Sequence, residues 1–458
     1  MSEAENTLHE LCRRYQALLL NQDATTITVA LAGTPTPEML EALRFTSQRS
    51  VQIERWPQAR MEQYQQEESD SEESVPETIT SLVDHILLQA FQRRASDIHL
   101  EPCAAGVRVR LRIDGVLQLL QTISANQQAA LIARLKILGN LDIAERRLPQ
   151  DGQFTLQLEG TQAAFRLSTL PVRAGEKAVI RLLQSESQDL ALEKLGMPPA
   201  ALTHFRHALA QPQGLILVTG PTGSGKTFTL YSGLSALNQP GNNVCSVEDP
   251  VEIPLSGVNQ TQINPRAGLD FQRVLRALLR QDPDVIMLGE IRDVESAEIA
   301  VKAAQTGHLV LSTLHTNSTT ETLARLRQMG IPGYLLASAL RLIIAQRLVR
   351  RLCPHCRAPA EQMKTLPTPG WSGQLQTWQA AGCDHCFSGY YGRLALFEIL
   401  PINSDLQTAI AENASSETLS LLAQRQSLNS LFVEGLNAVN RGETSLAEVY
   451  RVIGADHG

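Results

Sequence analysis

The sequence is poor in aromatic residues, lacks a long apolar run and carries no excess of positive charge. Aromatic side chains make up 4% of its 458 residues. No stretch approaches the about 18 consecutive apolar residues of a transmembrane helix, and the acidic start Met1–Glu5 lacks a signal-peptide pattern. The formal net charge of -7 argues against a broad nucleic-acid-binding surface, so we expect no nucleic-acid partner. These absences predict a protein that is made and kept in the cytoplasm.

Cysteine is also scarce, and its distribution is uneven. Of the seven cysteines, Cys12, Cys103 and Cys245 stand alone and the others form two close pairs. In a reducing compartment, close pairs favour metal binding and single cysteines favour packing. We therefore expect one metal site and three structural thiols.

A glycine-rich segment matches the G-x-x-x-x-G-K-[ST] pattern of a phosphate-binding loop. An apolar run at 215–218 predicts a buried parallel strand before it, and residues 227–234 predict a helix after it. Lys226 would contact the β- and γ-phosphates of a nucleotide, and the Thr227 hydroxyl would ligate Mg²⁺. An ordinary glycine-rich turn is the disfavoured alternative, because strand and helix are both in place. The predicted nucleotide site comprises Gly220, Pro221, Thr222, Gly223, Ser224, Gly225, Lys226 and Thr227.

Apolar runs alternate with helical patterns around this loop, which predicts a doubly wound α/β sheet. Glu248 and Glu290 each follow a predicted strand, and parallel strands bring their carboxyl ends to one edge of a sheet. Two carboxylates at that edge resemble a nucleotide hydrolysis site, in which one holds Mg²⁺ through water and one orients or deprotonates the attacking water. The further predicted strands are 244–247, 285–288 and 309–312, and the helices lie near 270–280, 294–306 and 318–328.

The region before the loop divides into two segments. Residues 1–65 predict a small α/β module, with a helical pattern that reaches Leu18 and Leu19, a strand at Thr26–Leu31 and a helix around Met39–Phe45. Residues 66–76 are acidic and polar and predict a solvated linker.

Residues 77–187 predict an α+β domain that bears arginines. In the run Val107–Ile113 three arginines alternate with apolar residues and share one strand face, and Asp114–Gly115 predicts a hairpin turn. Such a face is usually solvated and paired with acids. The phosphate-binding loop elsewhere in the chain provides a second interpretation, in which these arginines contact a triphosphate.

The two cysteine pairs are Cys353 with Cys356 and Cys383 with Cys386. Two C-x-x-C pairs at this separation favour a structural, tetrahedral zinc site over redox chemistry. His355 and His385 lie inside the pairs and could substitute as ligands, although four thiolates are the simpler set. We expect a loose excursion over Pro359–Ala381, a strand or packed turn over Tyr390–Ile399, and helices over 404–453.

Taken in order, these motifs resemble those of the GspE/PilB family, the hexameric ATPases that drive type II secretion and type IV pilus assembly. The resemblance covers roughly residues 76–450, and the brevity of the chain is similar to that of the short, HofB-like members. The four cysteines resemble the assembly and secretion branch, since the retraction ATPases usually lack them. The motifs that carry the resemblance are Ser96–Pro102, Arg112–Gly115, Arg147–Gly152, Gly220–Thr227, Val247–Glu252, Leu288–Asp293, residues 306–317 and the four cysteines.

The resemblance implies roles for individual residues. Gly220–Thr227 corresponds to the Walker A loop, Glu290 to the atypical Walker B glutamate, and Glu248 to the acidic-box residue that activates water. His308 and His315 correspond to a histidine box that senses the nucleotide state. The arginines that would close over the phosphates are Arg110, Arg112 and Arg147.

The resemblance also implies a fold and a function. The fold is α/β: a RecA-like ATPase domain (188–352) follows a PAS-like domain (77–187) and the N-terminal module, and a tetracysteine zinc element (353–386) and a mostly helical region (387–458) complete the chain. The function is that of an ATP-hydrolysing motor, a homo-hexamer with ATP, Mg²⁺ and Zn²⁺, docked on a platform protein at the cytoplasmic face of the inner membrane. A DNA-uptake or conjugation ATPase and a nucleotide-regulated, non-catalytic scaffold remain the alternatives.

Overall fold

In the computed structural model, contacts divide the chain into two units, residues 1–84 and 85–458. None of the helices in the described residues is long and apolar enough to cross a lipid bilayer. The structure describes residues 12, 15, 17–22, 26–33, 35–47, 49–57, 61, 78–183, 189–366, 370–426 and 429–454.

The first unit contains a three-stranded sheet and a helix, and β2 lies in the centre of the sheet. Its elements are β1 (Ala17–Gln22), β2 (Thr26–Leu31), α1 (Pro37–Ser47) and β3 (Ser50–Arg55). β2 runs antiparallel to β1 and parallel to β3. Ile27 and Val29 pack with Met39 and Leu43, because strand residues two apart and helix residues four apart share a face.

The sequence predicts part of this unit correctly. The strand at Thr26–Leu31 and the helix around Met39–Phe45 are confirmed. The helical pattern over Leu18 and Leu19 is wrong, because both residues lie in β1. A short apolar run fits either periodicity, and pairing with β2 favours the strand. The linker predicted at 66–76 lies outside the described residues.

The second unit begins with a six-stranded antiparallel sheet in the order β6-β5-β4-β9-β8-β7. The helix α2 (Ile79–Gln92) precedes this sheet and contains the boundary between the two units. The elements that follow it are β4 (Ala95–Cys103), β5 (Gly106–Ile113), β6 (Val116–Ile123), α3 (Gln128–Leu138), β7 (Gln150–Leu158), β8 (Thr161–Val172) and β9 (Gly175–Leu183). The apolar residues of β5 are buried, and its arginines alternate with them on the more exposed face. The turn predicted at Asp114–Gly115 is confirmed, with positive φ angles of 49° and 86°.

A second, seven-stranded sheet forms the centre of the unit, in the order β12-β11-β13-β14-β10-β15-β20. All its neighbouring strands are parallel except β15 and β20. The predicted strands and helices of this sheet are confirmed. The elements from here to the end are α4 (Pro199–Leu209), β10 (Gly214–Thr219), α5 (Lys226–Leu237), β11 (Val244–Glu248), β12 (Asn259–Gln262), α6 (Phe271–Leu278), β13 (Val285–Leu288), α7 (Val294–Gln305), β14 (Leu309–Leu314), α8 (Thr319–Gln328), α9 (Gly333–Ala339), β15 (Leu340–Leu352), β16 (Arg357–Pro359), β17 (Lys364–Thr365), β18 (Gln374–Leu375), β19 (Trp378–Ala380), β20 (Tyr390–Pro401), α10 (Ser404–Ala411), α11 (Ser416–Arg425), α12 (Leu431–Asn440) and α13 (Leu446–Ile453).

Helices cover both faces of this sheet. Along β10, Leu215 and Leu217 belong to a core that includes residues of α6, α7, α8 and α9. Ile216 and Val218 belong to the other core, with α4 and α5. Because successive strand residues point to opposite faces, a continuous apolar run such as β10 requires this two-sided burial.

The chain between β15 and β20 is ordered by short antiparallel pairs, β16 with β19 and β17 with β18. The loose excursion expected over Pro359–Ala381 is therefore wrong for the described part of that segment. Leu375 is fully buried and packs with Phe432 of α12 and Val449 of α13. The polar composition of the segment gives no sign of this packing, because only one leucine of the β17–β18 hairpin makes the contact with the two helices. The helices predicted over 404–453 are confirmed.

Glu448 of α13 is a buried carboxylate held by two arginines. Its side chain is 1% exposed, Arg350 donates to it at 2.9 Å, and Arg451 donates to it as well. Burial opposes its ionisation, but the hydrogen bonds from Arg451 and Arg350 prevail and lower the pKa of Glu448 to about 2. Glu448→Gln is therefore expected to lower the free energy of unfolding by about 3 kcal/mol at pH 7, measured by chemical denaturation, because it leaves buried positive charge uncompensated.

The pH dependence of this loss follows from the direction of the pKa shift. A lowered pKa means that the carboxylate stabilises the folded state above its ordinary value of 4.5, and that this contribution disappears as the pH falls toward about 2. The difference between wild type and Glu448→Gln should shrink over this window. Glu412→Gln, at an exposed position after α10, is the control and should stay within about 0.5 kcal/mol. A difference that does not change between pH 7 and pH 3 would contradict the ion-pair account.

Candidate functional site

The glycine-rich loop turns tightly between β10 and α5. Gly220 and Gly225 have φ angles of 149° and 88°, which other residues rarely adopt. A Cβ atom at Gly220 would lie 2.5 Å from the Gln346 carbonyl oxygen, and one at Gly225 would lie 2.8 Å from the Gln346 Nε2 atom. The loop therefore needs glycine at both positions for conformation, and at Gly220 also for space, because the backbone oxygen beside it cannot move aside as a side-chain end can. Its amides and the start of α5 form the kind of concave surface that binds phosphate groups.

Two polar side chains inside the loop fit an anion. Lys226 is 8% exposed, and its Nζ donates to the carbonyl oxygens of Gly220 and Pro221 at 2.8 and 3.0 Å. The Ser224 hydroxyl is buried and has no hydrogen-bond partner among the described residues. An unpaired buried hydroxyl is costly unless a ligand satisfies it, so Ser224 supports the assignment of a phosphate site here. Thr227, in the first turn of α5, is exposed and offers a hydroxyl of the type that ligates Mg²⁺.

The environment of Lys226 is also electrostatically distinctive. Burial lowers its pKa to about 8, the negative charge of Glu290 opposes that shift, and the positive charge of Arg347 adds to it. An ammonium that is short of counter-charge gains more from a bound phosphate than an exposed lysine would. Arg347 lies beside the loop, since its Nη1 atom would be 3.1 Å from a Cβ at Gly220.

The carboxyl edge of the sheet gathers the other predicted residues. Glu248 ends β11, Glu290 follows β13, and His315 follows β14. β14 pairs with β10, β13 with β14, and β11 with β13, so these residues occupy the same edge as the loop. In open α/β sheets, ligands bind at this edge.

Glu290 is a partly exposed carboxylate with two basic partners. Its side chain is 24% exposed, its Oε2 lies 3.0 Å from His315 Nε2, and Arg292 donates to its Oε1. The turn that carries it is fixed by hydrogen bonds from the Ile291 amide to the Thr313 carbonyl oxygen (2.9 Å) and from the Gly289 amide to β11 (2.9 Å). Glu290 is therefore held at the carboxyl edge of the sheet, next to β14 and β11, yet accessible to a ligand or water.

Glu248 differs from Glu290 in being buried. It is 3% exposed and accepts hydrogen bonds from the Tyr231 hydroxyl, the Ser246 hydroxyl and, at 3.1 Å, the Gln260 side-chain amide. Burial is tolerated because three donors satisfy the carboxylate. The two acidic residues thus have different environments, one open and paired with a histidine and one enclosed by neutral donors.

His308 lies at the other end of β14 from His315. It directly precedes the strand, its carbonyl oxygen accepts from the Gly214 amide at the start of β10, and its Nδ1 lies 3.0 Å from the Ala303 carbonyl oxygen. A strand of this length separates the two histidines by roughly 20 Å. The structure therefore places His315 at the carboxyl edge of the sheet, with the glycine-rich loop, and His308 at the opposite, amino edge of the same sheet.

The predicted phosphate-closing arginines have carboxylate partners in their own sheet and its loops. Arg110 pairs with Glu101 at 2.8 Å, Arg112 lies 3.7 Å from Asp97, and Arg147 pairs with Glu145 at 2.9 Å. In the described part of the chain, no hydrogen bond or ion pair joins any of the three to the glycine-rich loop.

The Glu101 pair is electrostatically strong. Burial opposes ionisation of Glu101, but hydrogen bonds from Arg110 and Lys177 lower its pKa to about 2. Arg147 differs from Arg110 because its side chain is 88% exposed, so it has the freedom to reach other partners.

Gln346 and Arg347, on β15, were not predicted as site residues. Arg347 is 6% exposed, donates to the Gln346 carbonyl oxygen at 3.0 Å and to Asn317 at 3.0 and 3.2 Å, and would lie 3.1 Å from a Cβ at Gly220. The Gln346 side chain accepts from Thr229 of α5 at 2.6 Å. One sequence signal could have identified them: two adjacent polar residues interrupt the apolar run of a buried strand. Buried polar side chains need hydrogen-bond partners, and adjacent strand residues need them on opposite faces of the sheet.

The four paired cysteines form a cluster with the arrangement of metal ligands. All four Sγ atoms lie within 4.8 Å of one another, and neighbouring sulfurs are 3.7 and 3.8 Å apart. A tetrahedral zinc with bonds of about 2.3 Å places its thiolates about 3.8 Å apart, so the cluster fits zinc. The cluster comprises Cys353, Cys356, Cys383 and Cys386, and neither His355 nor His385 belongs to it among the described residues.

Comparison with known proteins gives three findings. The family model described as "Type II/IV secretion system protein" matches residues 72–451. The protein transport protein HofB homolog of Escherichia coli is 54% identical over 98% of this chain and 99% of its own length, and the type IV pilus assembly ATPase PilB of Pseudomonas aeruginosa is 46% identical over 84% and 69%. The crystal structure of the pilus retraction motor PilT with bound ADP is 28% identical with a TM-score of 0.53, covering 80% of this chain and 95% of that one.

Proposed function

The chain belongs to the type II/IV secretion system protein family, and on this premise we propose that it is an ATP-hydrolysing motor for type IV pilus assembly or type II secretion. The proposal is carried by one observation above all: the phosphate-binding loop, Glu290 and Glu248 meet at the carboxyl edge of one sheet. That arrangement supplies what phosphoryl transfer to water needs, namely a phosphate cradle, a cation at the β/γ position and carboxylates near the transferred group.

Each residue has a separate role in this proposal. The amides of Gly220–Thr227 and the Lys226 ammonium bind the phosphates of ATP. Thr227 and, through water, Glu290 would hold Mg²⁺, which neutralises charge on the transferred phosphoryl group. Glu248 positions the attacking water. His315 contacts Glu290 at 3.0 Å and would report the state of that carboxylate to α8 through the loop after β14.

The arginines would complete the site from another lobe or subunit. Positive charge that approaches the γ-phosphate in trans is worth about 10³–10⁵ in rate in other systems. Arg110 and Arg112 would have to exchange their carboxylate partners for phosphate, whereas Arg147 is already exposed. His308, at the opposite edge, would act only through a neighbouring copy. This arrangement needs neighbouring copies, which the homo-hexamer implied by the family resemblance would supply.

Motion would follow from the angle between two lobes, a PAS-like domain at 77–187 and a RecA-like domain at 188–352. A nucleotide bound between lobes biases their relative angle. The antiparallel sheet contacts the C-terminal part of the second unit at two neighbouring points: the Gly392 amide donates to the Asp114 carboxylate at 3.0 Å, and the Arg94 guanidinium lies 3.9 Å from the centre of the Tyr391 ring. A change in the angle between the lobes would strain these contacts.

The remaining parts of the proposal concern cofactors, partners and location. Zinc in the tetracysteine element (353–386) is structural. The platform partner is a protein of the inner membrane, and the chain works at the cytoplasmic face of that membrane. A DNA-linked ATPase is disfavoured by the net charge of -7, and a non-catalytic scaffold by the presence of both carboxylates beside the loop.

Glu290→Gln provides the direct test. We expect phosphate release from ATP by the purified protein to fall about 10²-fold, because the neutral amide would hold the water-linked Mg²⁺ less well than the carboxylate does. In cells that lack the gene, the variant should fail to restore pili or secretion.

Glu298→Gln is the matched control for this test. Glu298 lies on α7, is 51% exposed and pairs only with the exposed Lys302 in the described structure, so wild-type turnover is expected. Unchanged turnover in Glu290→Gln would remove the catalytic assignment, and ATP turnover without restoration of either process would remove the motor assignment.

A further inference from the structure

A buried tyrosine connects the nucleotide-binding helix to the acidic residue Glu248. Tyr231 lies on α5, five residues after Lys226, and is fully buried. Its hydroxyl donates to Glu248 Oε2 and accepts from the Glu252 amide at 3.1 Å. Burial and the neighbouring carboxylate raise the pKa of Tyr231, so the hydroxyl remains a proton donor.

The hydrogen bonds of Glu248 leave one acceptor position open. A carboxylate has about four lone-pair sites, two on each oxygen. Oε1 accepts from Ser246 and, at 3.1 Å, from Gln260, which fills its two sites. Among the residues that the structure describes, Tyr231 is the single donor to Oε2. One lone pair therefore remains, on the oxygen that Tyr231 holds.

The loop after Glu248 is fixed by the same groups. The Gln260 amide donates also to the Ile253 carbonyl oxygen at 3.1 Å, and its Oε1 accepts from the Leu255 amide at 2.7 Å. Tyr231 holds the Glu252 amide of that loop as described above. Tyr231 and Gln260 therefore bind both the Glu248 carboxylate and the loop that follows it.

We propose that Tyr231 is a positioning residue, which fixes Glu248 so that the remaining lone pair of Oε2 accepts a hydrogen bond from the attacking water. The proposal rests on the proposed ATPase function. In this proposal Glu248 orients the water. Its carboxylate is buried and already accepts three hydrogen bonds from the protein, so it can accept one more from a single direction. It also links the phosphate-binding helix to the water through one hydrogen bond, from Tyr231 to Glu248.

The experiment compares Tyr231→Phe with wild type under steady-state conditions. Phenylalanine preserves the packing and removes only the hydroxyl. We expect kcat for ATP hydrolysis to fall about 10–10²-fold, as loss of one positioning hydrogen bond allows misoriented water, while KM and the affinity for a fluorescent ADP analogue change less than about twofold. A parallel rise in KM and loss of nucleotide affinity would overturn the proposal, because it would show a general disturbance of α5.

A double variant tests whether Tyr231 acts through Glu248. Once Glu248→Gln has removed the carboxylate, Tyr231→Phe should cost nothing further, so the double variant should have the activity of Glu248→Gln alone. Multiplying losses would overturn the proposal. Tyr390→Phe is the matched control, since it removes a buried hydroxyl that contacts Ser445 at 2.7 Å away from the loop, and it should leave kcat unchanged.

The two proposals fail in different ways. If the wild-type protein releases no phosphate from ATP, the proposed function fails. If wild type is active and Tyr231→Phe matches it in kcat, only the positioning role fails.

Discussion

Lys226→Ala is expected to lower kcat/KM for ATP by about 10³-fold or more. Lys226 is the charged donor inside the loop, and removal of a single donor that stabilises transferred charge costs about 10²–10³ in rate even where binding survives. Here the same substitution also weakens binding, because the ammonium contacts the nucleotide in the ground state. Phosphate release and the affinity for a fluorescent ADP analogue measure the two effects separately.

The fold of the Lys226→Ala protein should persist. The ammonium is buried and short of counter-charge, and its pKa of about 8 shows that folding disfavours its charged form. Its removal therefore costs little stability, and circular dichroism should show an unfolding transition close to that of wild type. Lys302→Ala, at a 67% exposed position on α7, is the control and should retain full turnover. Nucleotide affinity equal to wild type in the Lys226→Ala protein would contradict the assignment of the loop.

The parts of the fold that the sequence predicts are those in which one local pattern has one solution. The apolar run at 215–218 can be satisfied only by burial on both sides, and it forms β10 between two helical layers. The positions of Glu248 and Glu290 follow, because residues after parallel strands must meet at one edge. The cysteine pairs are similar, since their spacing alone implies the cluster that the structure contains.

The unpredicted features depend on contacts between distant segments. Nothing in the spacing of Arg110 indicates that Glu101, on the neighbouring strand, is its partner, since strand pairing decides that contact. The enclosure of Glu248 likewise needs Tyr231 from α5 and Gln260 from β12 to converge. His308 lies at the amino edge of the sheet because it precedes β14, whereas His315 follows the strand. The motif that contains both histidines does not indicate that the strand separates them.

Removal of the zinc ligands is expected to destabilise the second unit without abolishing its chemistry. In Cys356→Ser/Cys386→Ser, two of four thiolates are lost, and the hairpins between β15 and β20 lose the metal that would join their ends. Because a structural metal contributes its binding free energy to folding, we expect the free energy of unfolding to fall by about 3–5 kcal/mol and the Tm by about 10 °C.

The destabilisation should spread to the C-terminal helices. Cys353 directly follows β15, its amide donates to the Gly389 carbonyl oxygen at 2.9 Å, and Leu375 inserts between α12 and α13. Loosening the cluster therefore exposes a core shared with both helices. The phosphate-binding loop follows β10 and shares none of these contacts among the described residues. ATP turnover well below the Tm should therefore stay within about twofold of wild type.

Metal analysis and thermal denaturation together decide the outcome. Wild type should contain one zinc per chain, the double variant none, and a strong chelator should reproduce the fall in Tm with wild type. Cys103→Ser is the control, because Cys103 ends β4 as a single cysteine outside the cluster, and its zinc content and Tm should match wild type. A wild-type protein that holds no zinc when purified without chelator, or a Tm that zinc removal leaves unchanged, would show that packing alone orders the segment between β15 and β20.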